Sequence, residues 1–237
     1  MRAVHSRNVP SGPSFRRFLP IGWGIVCGSK RPLLFCLALV LLTAHARAQD
    51  LFHRVDDHYN HLRTLRARYT EHYTGMGIDR TESGTLLLRK PGLMRWSYDQ
   101  PPGKLFILDG KFAWFYTPGD PQISRAPAKQ LDDLRSPLRF LLGHTQLAKE
   151  LDQLAAAPDG PNYRITGVPK GMASRVRLLT LVVTPDGAIT GMELEETDGA
   201  TTEFTFTGIE ENVPIPPPSF TFAPPPGIPI VEAQPPI

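Results

Sequence analysis

The residues best able to do chemistry in this sequence are its histidines and clustered carboxylates. Five of the seven histidines lie beyond residue 48, at His53, His58, His61, His72 and His144. His58 and His61 stand three apart, which puts both on one helix face within reach of a single metal ion. No third ligand follows at a characteristic spacing, and the flanking residues are polar, so the pair reads as surface histidine. Glu193, Glu195 and Glu196 offer carboxylates for acid–base work, but Glu193 and Glu195 share one face of a strand and read as solvated. The chain has no G-x-S-x-G, no H-E-x-x-H and no Walker loop. The expectation is a protein that is not an enzyme, with no metal and no cofactor.

Apolar and aromatic residues carry more information. Met94, Trp96, Phe106, Trp114, Phe115 and Tyr116 gather within one run of successive strands. An ordinary core is the plainest use of such a set. Beside it, however, stand several short apolar helices that cannot cover a long sheet densely. A sheet curled on itself under a loosely packed helical lid encloses an apolar cavity.

The elements that must position these residues follow from periodicity. Leu51, Phe52, Val55, Tyr59, Leu62 and Leu65 recur at spacings of three and four, which predicts a helix capped by Asp50. From Arg66 the period becomes two, with Ala67, Tyr69 and Tyr73 alternating against Arg68, Thr70 and His72. Gly75-Met76-Gly77 turns the chain into a second strand around Thr81–Arg89, and Lys90-Pro91-Gly92 leads into a third over Leu93–Tyr98. Asp109-Gly110 predicts a tight hairpin between Leu105–Leu108 and Phe112–Tyr116. Between Pro118 and Pro161 β-branched residues thin out, and short helices are expected at Gln130–Leu134, Pro137–Leu142 and Gln146–Leu154. Strands resume at Asn162–Gly167, Arg175–Thr184, Ile189–Glu195 and Thr201–Ile209. Thr184-Pro185-Asp186-Gly187 and Asp198-Gly199 supply the turns. Phe220 and Phe222 form a last short strand before a proline-rich tail. The sum is an α+β arrangement, one antiparallel sheet with helices segregated to one side.

The N-terminus has its own character. Arg16, Arg17, Lys30 and Arg31 precede an apolar run from Leu33 to Leu42, and Ala46-Arg47-Ala48 follows. Basic, apolar and small-residue regions in that order predict a cleavable export signal over residues 1–48, cut near Ala48/Gln49. The run falls short of the roughly 20 residues a transmembrane helix needs. Residues 1–48 hold seven basic and no acidic side chains, so residues 49–237 carry 19 basic against 23 acidic, a net charge of −4. That balance argues against nucleic acid as a partner. Both cysteines, Cys27 and Cys36, lie within the signal. The remainder is therefore expected to form no disulfide and to do no thiol chemistry. Its length suits one domain, 49–237, with a proline-rich end.

The stretch Arg89-Lys90-Pro91-Gly92-Leu93-Met94-Arg95-Trp96-Ser97-Tyr98-Asp99-Gln100-Pro101 resembles a recurring segment of the LolA family. In order behind it stand Leu108-Asp109-Gly110-Lys111, Trp114-Phe115-Tyr116, Pro118 and Gln122, then Ser136-Pro137 with Leu141-Leu142. Asp198-Gly199 before Phe204, and Phe220-Thr221-Phe222 with Pro225-Pro226-Gly227, complete the set.

The resemblance implies an unclosed antiparallel β-barrel (a half barrel) with a lid of short helices over an apolar cavity. It also implies a periplasmic carrier. Such a protein takes triacylated lipoproteins from an inner-membrane lipoprotein-releasing ABC transporter and passes them to an outer-membrane acceptor lipoprotein. A monomer is expected. The cavity set is Leu86, Leu88, Met94, Trp96, Phe106, Trp114 and Tyr116, with Leu138 and Leu141 from the lid. Lys90 falls where family members carry an arginine that latches the lid through backbone carbonyls, and Arg89 is the neighbouring alternative. Because adjacent strand residues face opposite ways, Lys90 and Arg89 cannot both point inward. Two other readings share the architecture: a binding module for another lipid or glycolipid, and an envelope-stress sensor or protein-interaction domain.

Overall fold

Alternating apolar and polar residues, punctuated by glycine turns, build more than half of the described chain. The computed structural model describes residues 49–129 and 146–232. Helix α1 spans 49–61. Strands β1 (Thr64–Gly75), β2 (Ile78–Arg89), β3 (Leu93–Gln100), β4 (Leu105–Asp109), β5 (Phe112–Tyr116) and β6 (Ile123–Pro127) follow. After the short helix α2 (Leu147–Glu150) come β7 (Leu151–Asp159), β8 (Asn162–Pro169), β9 (Val176–Val183), β10 (Ile189–Glu196) and β11 (Thr201–Glu211). A 3₁₀ turn at Pro217–Phe220 and a last strand, β12 (Ile230–Glu232), end the described chain. No helix among the described residues is long and apolar enough to cross a membrane.

Among the described residues all 12 strands join one sheet in the order β12-β6-β5-β4-β3-β2-β1-β11-β10-β9-β8-β7. Neighbours are antiparallel except β12, which lies parallel to β6. The end strands β12 and β7 do not pair with each other, so the barrel is unclosed.

The pleat sends alternate residues to two different apolar clusters. Leu65, Ala67 and Tyr69 of β1 point inward with Leu86 and Leu88 of β2, Met94 and Trp96 of β3, and Phe106 and Leu108 of β4. Helix α1 lays Leu51, Val55, Tyr59 and Leu62 on this inner face. Fully burying each such side chain contributes roughly 1.5–3 kcal/mol, which is what holds a single helix against the sheet. On the outer face Ile107, Trp114 and Ile123 pack with Tyr116, Phe222 and Ile228.

Three expectations need correction. The helix expected over Gln146–Leu154 stops at Glu150, and Leu151–Asp159 instead forms edge strand β7 on β8. The open hydrogen-bonding edge of β8 overrides the weak local preference of Ala155, Ala156 and Ala157. Gln153, at φ 55°, marks the slip in register between Asp152 and Ala155. Phe220 and Phe222 form no strand, because prolines 216–218 have no N–H to give a ladder; Phe220 closes the 3₁₀ turn. The last strand lies further on, within the expected tail. Strand β6 arises in the region where β-branched residues thin out. The helices expected at Gln130–Leu134 and Pro137–Leu142 lie outside the described residues.

Candidate functional site

Five of the expected cavity residues meet on the inner face. Leu86, Leu88 and Met94 are fully buried there, with Trp96 and Phe106 nearly so. Register explains the grouping, since Leu86 pairs with Trp96, Leu88 with Met94, and Trp96 with Phe106. The indole N–H of Trp96 donates to Met94 Sδ at 3.0 Å, a weak acceptor in a site otherwise made of carbon. An aromatic row continues across the sheet. Tyr69 meets Trp96 edge-on at 4.5 Å between ring centres, and Trp96 lies 5.5 Å from Phe204 and 6.2 Å from Phe206.

Trp114 and Tyr116 do not join them. In the β4–β5 ladder Phe106 pairs with Phe115 and Ile107 with Trp114. Trp114 therefore shares the face of Ile107 and leaves the inner side to Phe115. Both Trp114 and Tyr116 pack against Phe222, at 5.4 and 5.7 Å between ring centres. Asp109 holds this arrangement, accepting the backbone N–H groups of Lys111 and Phe112 and the indole N–H of Trp114 at 2.7–2.8 Å. Burial works against its charge, but these three donors prevail and hold its carboxyl below the usual carboxylate range. Leu138 and Leu141 lie outside the described residues.

The two basic residues at the end of β2 part as strand geometry requires. Lys90 Nζ donates to the carbonyl of Tyr59 in α1, and burial lowers its pKa. Arg89 turns the other way and donates to Ile215 O at 2.8 Å, in the C-terminal segment. Helix α1 is tied at further points. The Tyr59 hydroxyl accepts the N–H of Ile189 at 3.0 Å, His58 meets Glu211 at 2.7 Å, and Arg54 donates to Pro185 O at 2.6 Å.

Among the described residues two surface hollows stand out. One, about 390 Å³, is lined by Arg54, Asp57, His58, His61, Asp186 and Glu211. The other, about 270 Å³, lies over Gly191 beside Arg164, Thr180, Glu193 and Thr205. Neither is lined by an expected cavity residue. Phe204 and Phe206, which meet Trp96, border the second hollow, and among the described residues α1 packs on the stretch of the inner face made by Leu65, Ala67, Leu86 and Leu88. His58 and His61 sit together in the first hollow, but His61 Nδ1 bonds the Asp57 carbonyl at 2.8 Å and His58 is engaged with Glu211. Glu193 and Glu195 face Arg164 and Arg177.

Sequence reasoning passed over a polar end to the inner face. Glu71 of β1 stands directly opposite Glu82 of β2. Glu82, 4% exposed, takes Lys104 at 2.5 Å and Arg80 at 3.3 Å. Desolvation, with Glu82 as a second cause, raises the pKa of Glu71. The Tyr98 hydroxyl reaches toward Glu71 at 3.5 Å, while Lys104 sits 4.2 Å over the Tyr98 ring. The signal was present in the alternation Tyr69-x-Glu71 and Glu82-x-Gly84-x-Leu86, once the Gly75–Gly77 turn pairs those strands.

Comparison with known proteins bears on this geometry. A family model described as "Outer membrane lipoprotein carrier protein LolA" matches residues 60–223. An outer-membrane lipoprotein carrier protein from Nitrosospira multiformis is 30% identical over 174 residues, spanning 72% of this chain and 83% of the relative. One from Dechloromonas aromatica is 30% identical over 198 residues, spanning 83% and 93% respectively. The solved structure of a LolA superfamily protein from Nitrosomonas europaea aligns at 11% identity and a TM-score of 0.42, covering 74% of this chain and 97% of that one. The chain belongs to the LolA family of outer membrane lipoprotein carrier proteins.

Proposed function

We propose that this protein is a periplasmic carrier. It binds the acyl chains of lipoproteins released at the inner membrane and delivers them to the outer membrane. The observation that carries the reading is the continuous apolar inner face of an unclosed sheet, from Leu65 and Ala67 through Leu86, Leu88, Met94, Trp96 and Phe106. Each CH₂ kept from water is worth about 0.8 kcal/mol, so a bare acyl chain would not cross an aqueous compartment at a useful concentration. A sheet with free end strands can spread where a closed barrel cannot. Loading parts α1 from the floor, and acyl chains replace Leu51, Val55 and Leu62 with little net change in buried area. Lys90, bonded to a carbonyl of α1, acts as the latch. The supplier is an ATP-driven lipoprotein-releasing transporter, and the recipient is an outer-membrane acceptor of higher affinity.

The test is native mass spectrometry on the gently purified protein, together with extraction of an acylated lipoprotein from membranes. Co-purified acyl cargo that leaves on denaturation is the expected result. Trp96→Glu, checked for retained strand content by circular dichroism, is expected to cut extraction at least about tenfold, since a carboxylate on the apolar floor must be desolvated. A wild-type protein that neither carries nor extracts acylated cargo sinks the reading.

A further inference from the structure

The inner face is not apolar along its whole length. Following β1, β2 and β3 toward the Gly75–Gly77 turn, Ala67 gives way to Tyr69 and Glu71, Leu86 to Gly84 and Glu82, and Trp96 to Tyr98. The change falls within one or two residues on each strand, and register brings it into line, Tyr69 and Tyr98 both standing opposite Gly84. Lys104 and Arg80 complete this end through Glu82. The floor is thus amphipathic lengthwise, with hydrocarbon toward α1 and a polar group of mixed charge at the far end.

Within that group one buried atom lacks a well-formed partner. Tyr69 is 2% exposed, and its hydroxyl points toward that of Tyr98 but makes no hydrogen bond of normal geometry among the described residues. Burial comes first among the effects that raise its pKa, with Tyr98 and Glu71 next, so the hydroxyl stays protonated and remains a donor. Leaving such a group unsatisfied costs stability. A Cβ on Gly84 would collide with the Ser97 carbonyl and stand 2.8 Å from the Tyr69 hydroxyl. The close approach of the β3 backbone, at the register shift between Ser83 and Gly84, therefore requires glycine here, and the Tyr69 hydroxyl lies against the same spot.

Charge selects what this donor meets. Glu82 is already met by Lys104 and Arg80, so a cationic head finds two cations in place and an anionic head finds Glu71 and Glu82. The remaining match is a neutral acceptor. Resting on the carrier reading above, we propose that Tyr69, Tyr98 and the Glu71–Glu82 pair form a head-group subsite for a neutral carbonyl, the ester or amide that joins acyl chains to their head. The Tyr69 hydroxyl donates to that carbonyl while the chains lie on Leu86, Met94 and Trp96. Tyr98 and Glu71 are only partly buried, so the carbonyl enters by their rotation, without opening of the sheet.

The experiment compares wild type with Tyr69→Phe, each purified after expression of the full chain. Three probes are used: diphenylhexatriene, which is hydrocarbon alone; dioleoylglycerol, which bears ester carbonyls; and a tripalmitoylated cysteinyl lipopeptide, which bears ester and amide carbonyls. Loss of one hydrogen bond should weaken the carbonyl probes about twofold to tenfold and leave diphenylhexatriene unchanged. An effect on the lipopeptide alone assigns the amide, and an effect on both assigns the ester. Without ligand, Tyr69→Phe should raise the melting temperature by about 2–4 °C, because it removes an unsatisfied buried hydroxyl. A lower melting temperature would mean that the hydroxyl has a protein partner, and would overturn the subsite. Equal weakening of all three probes, or of none, would overturn it as well, with the carrier intact. If wild type takes up no probe at all, the carrier reading falls and the subsite with it.

Discussion

At the scale of single residues, Asp109 shows how one side chain sets the direction of another. Its carboxylate caps the β4–β5 turn and holds the indole of Trp114 outward. Asparagine there keeps the shape but loses the charge, and while its Oδ1 can still accept from Lys111 and Phe112, its Nδ2 is a donor and cannot accept the indole N–H of Trp114. Asp109→Asn is expected to cost about 1–2 kcal/mol at neutral pH, measured by urea unfolding. The pH dependence has a definite sign. Because the folded carboxyl titrates below its ordinary value, its contribution is complete above about pH 4 and is lost as pH falls through the lower folded value. The gap between wild type and variant should therefore be flat from pH 7 to 5 and narrow only at stronger acidity. A gap that narrowed between pH 7 and 5 would mean that another group controls the turn.

At the scale of elements, the C-terminal segment acts as a strap across the outer face. Ile215 and Phe220 are buried at its start, Phe222 and Ile228 cover Trp114 and Ile123, and β12 finishes by pairing with β6. Arg125 joins this contact, bonding Glu232 at 2.6 Å and lying 4.5 Å over the Phe112 ring. Without β12, strand β6 becomes a bare sheet edge with unpaired N–H and C=O groups. Ending the chain at residue 226 should lower stability by about 1–3 kcal/mol through lost apolar burial. It should also increase concentration-dependent self-association relative to the full chain, read by sedimentation velocity. A truncated protein that stayed monomeric and equally stable would show the strap to be dispensable.

At the scale of the whole molecule, function on this reading depends on α1 leaving the inner face and returning. The helix is held there by four apolar residues and a few polar ties, and the ties set its register rather than its affinity, since each is worth about 0.5–1.5 kcal/mol. Lys90 is the tie that joins the β2–β3 turn to the helix, and its burial means the bond is only partly exposed to competing water. Lys90→Ala should speed hydrogen exchange at the amides of α1 severalfold and accelerate cargo release, whereas Lys90→Arg should restore both. Unchanged exchange and release in Lys90→Ala would remove the latch from the mechanism.

Much of this was legible in the residues themselves. Alternation and glycine turns specify most of the strands because a pleated sheet with one apolar face requires period two, and α1 shows the period of a helix packed on one side. The ordered landmarks from Arg89 to Gly227 identify the family. What tertiary structure alone decided was pairing. Composition treats Phe106 and Trp114 alike; the register across the Asp109-Gly110 hairpin puts them on opposite faces. Leu151–Asp159 has no strong strand preference and becomes a strand only because β8 offers unpaired hydrogen-bonding groups. Arg89 and Lys90 are neighbours in sequence, and only the positions of α1 and Ile215 decide which one meets the helix. The polar end of the inner face exists in no single strand: it appears when three strands, each changing from apolar to polar, are brought into line by hydrogen bonds between them.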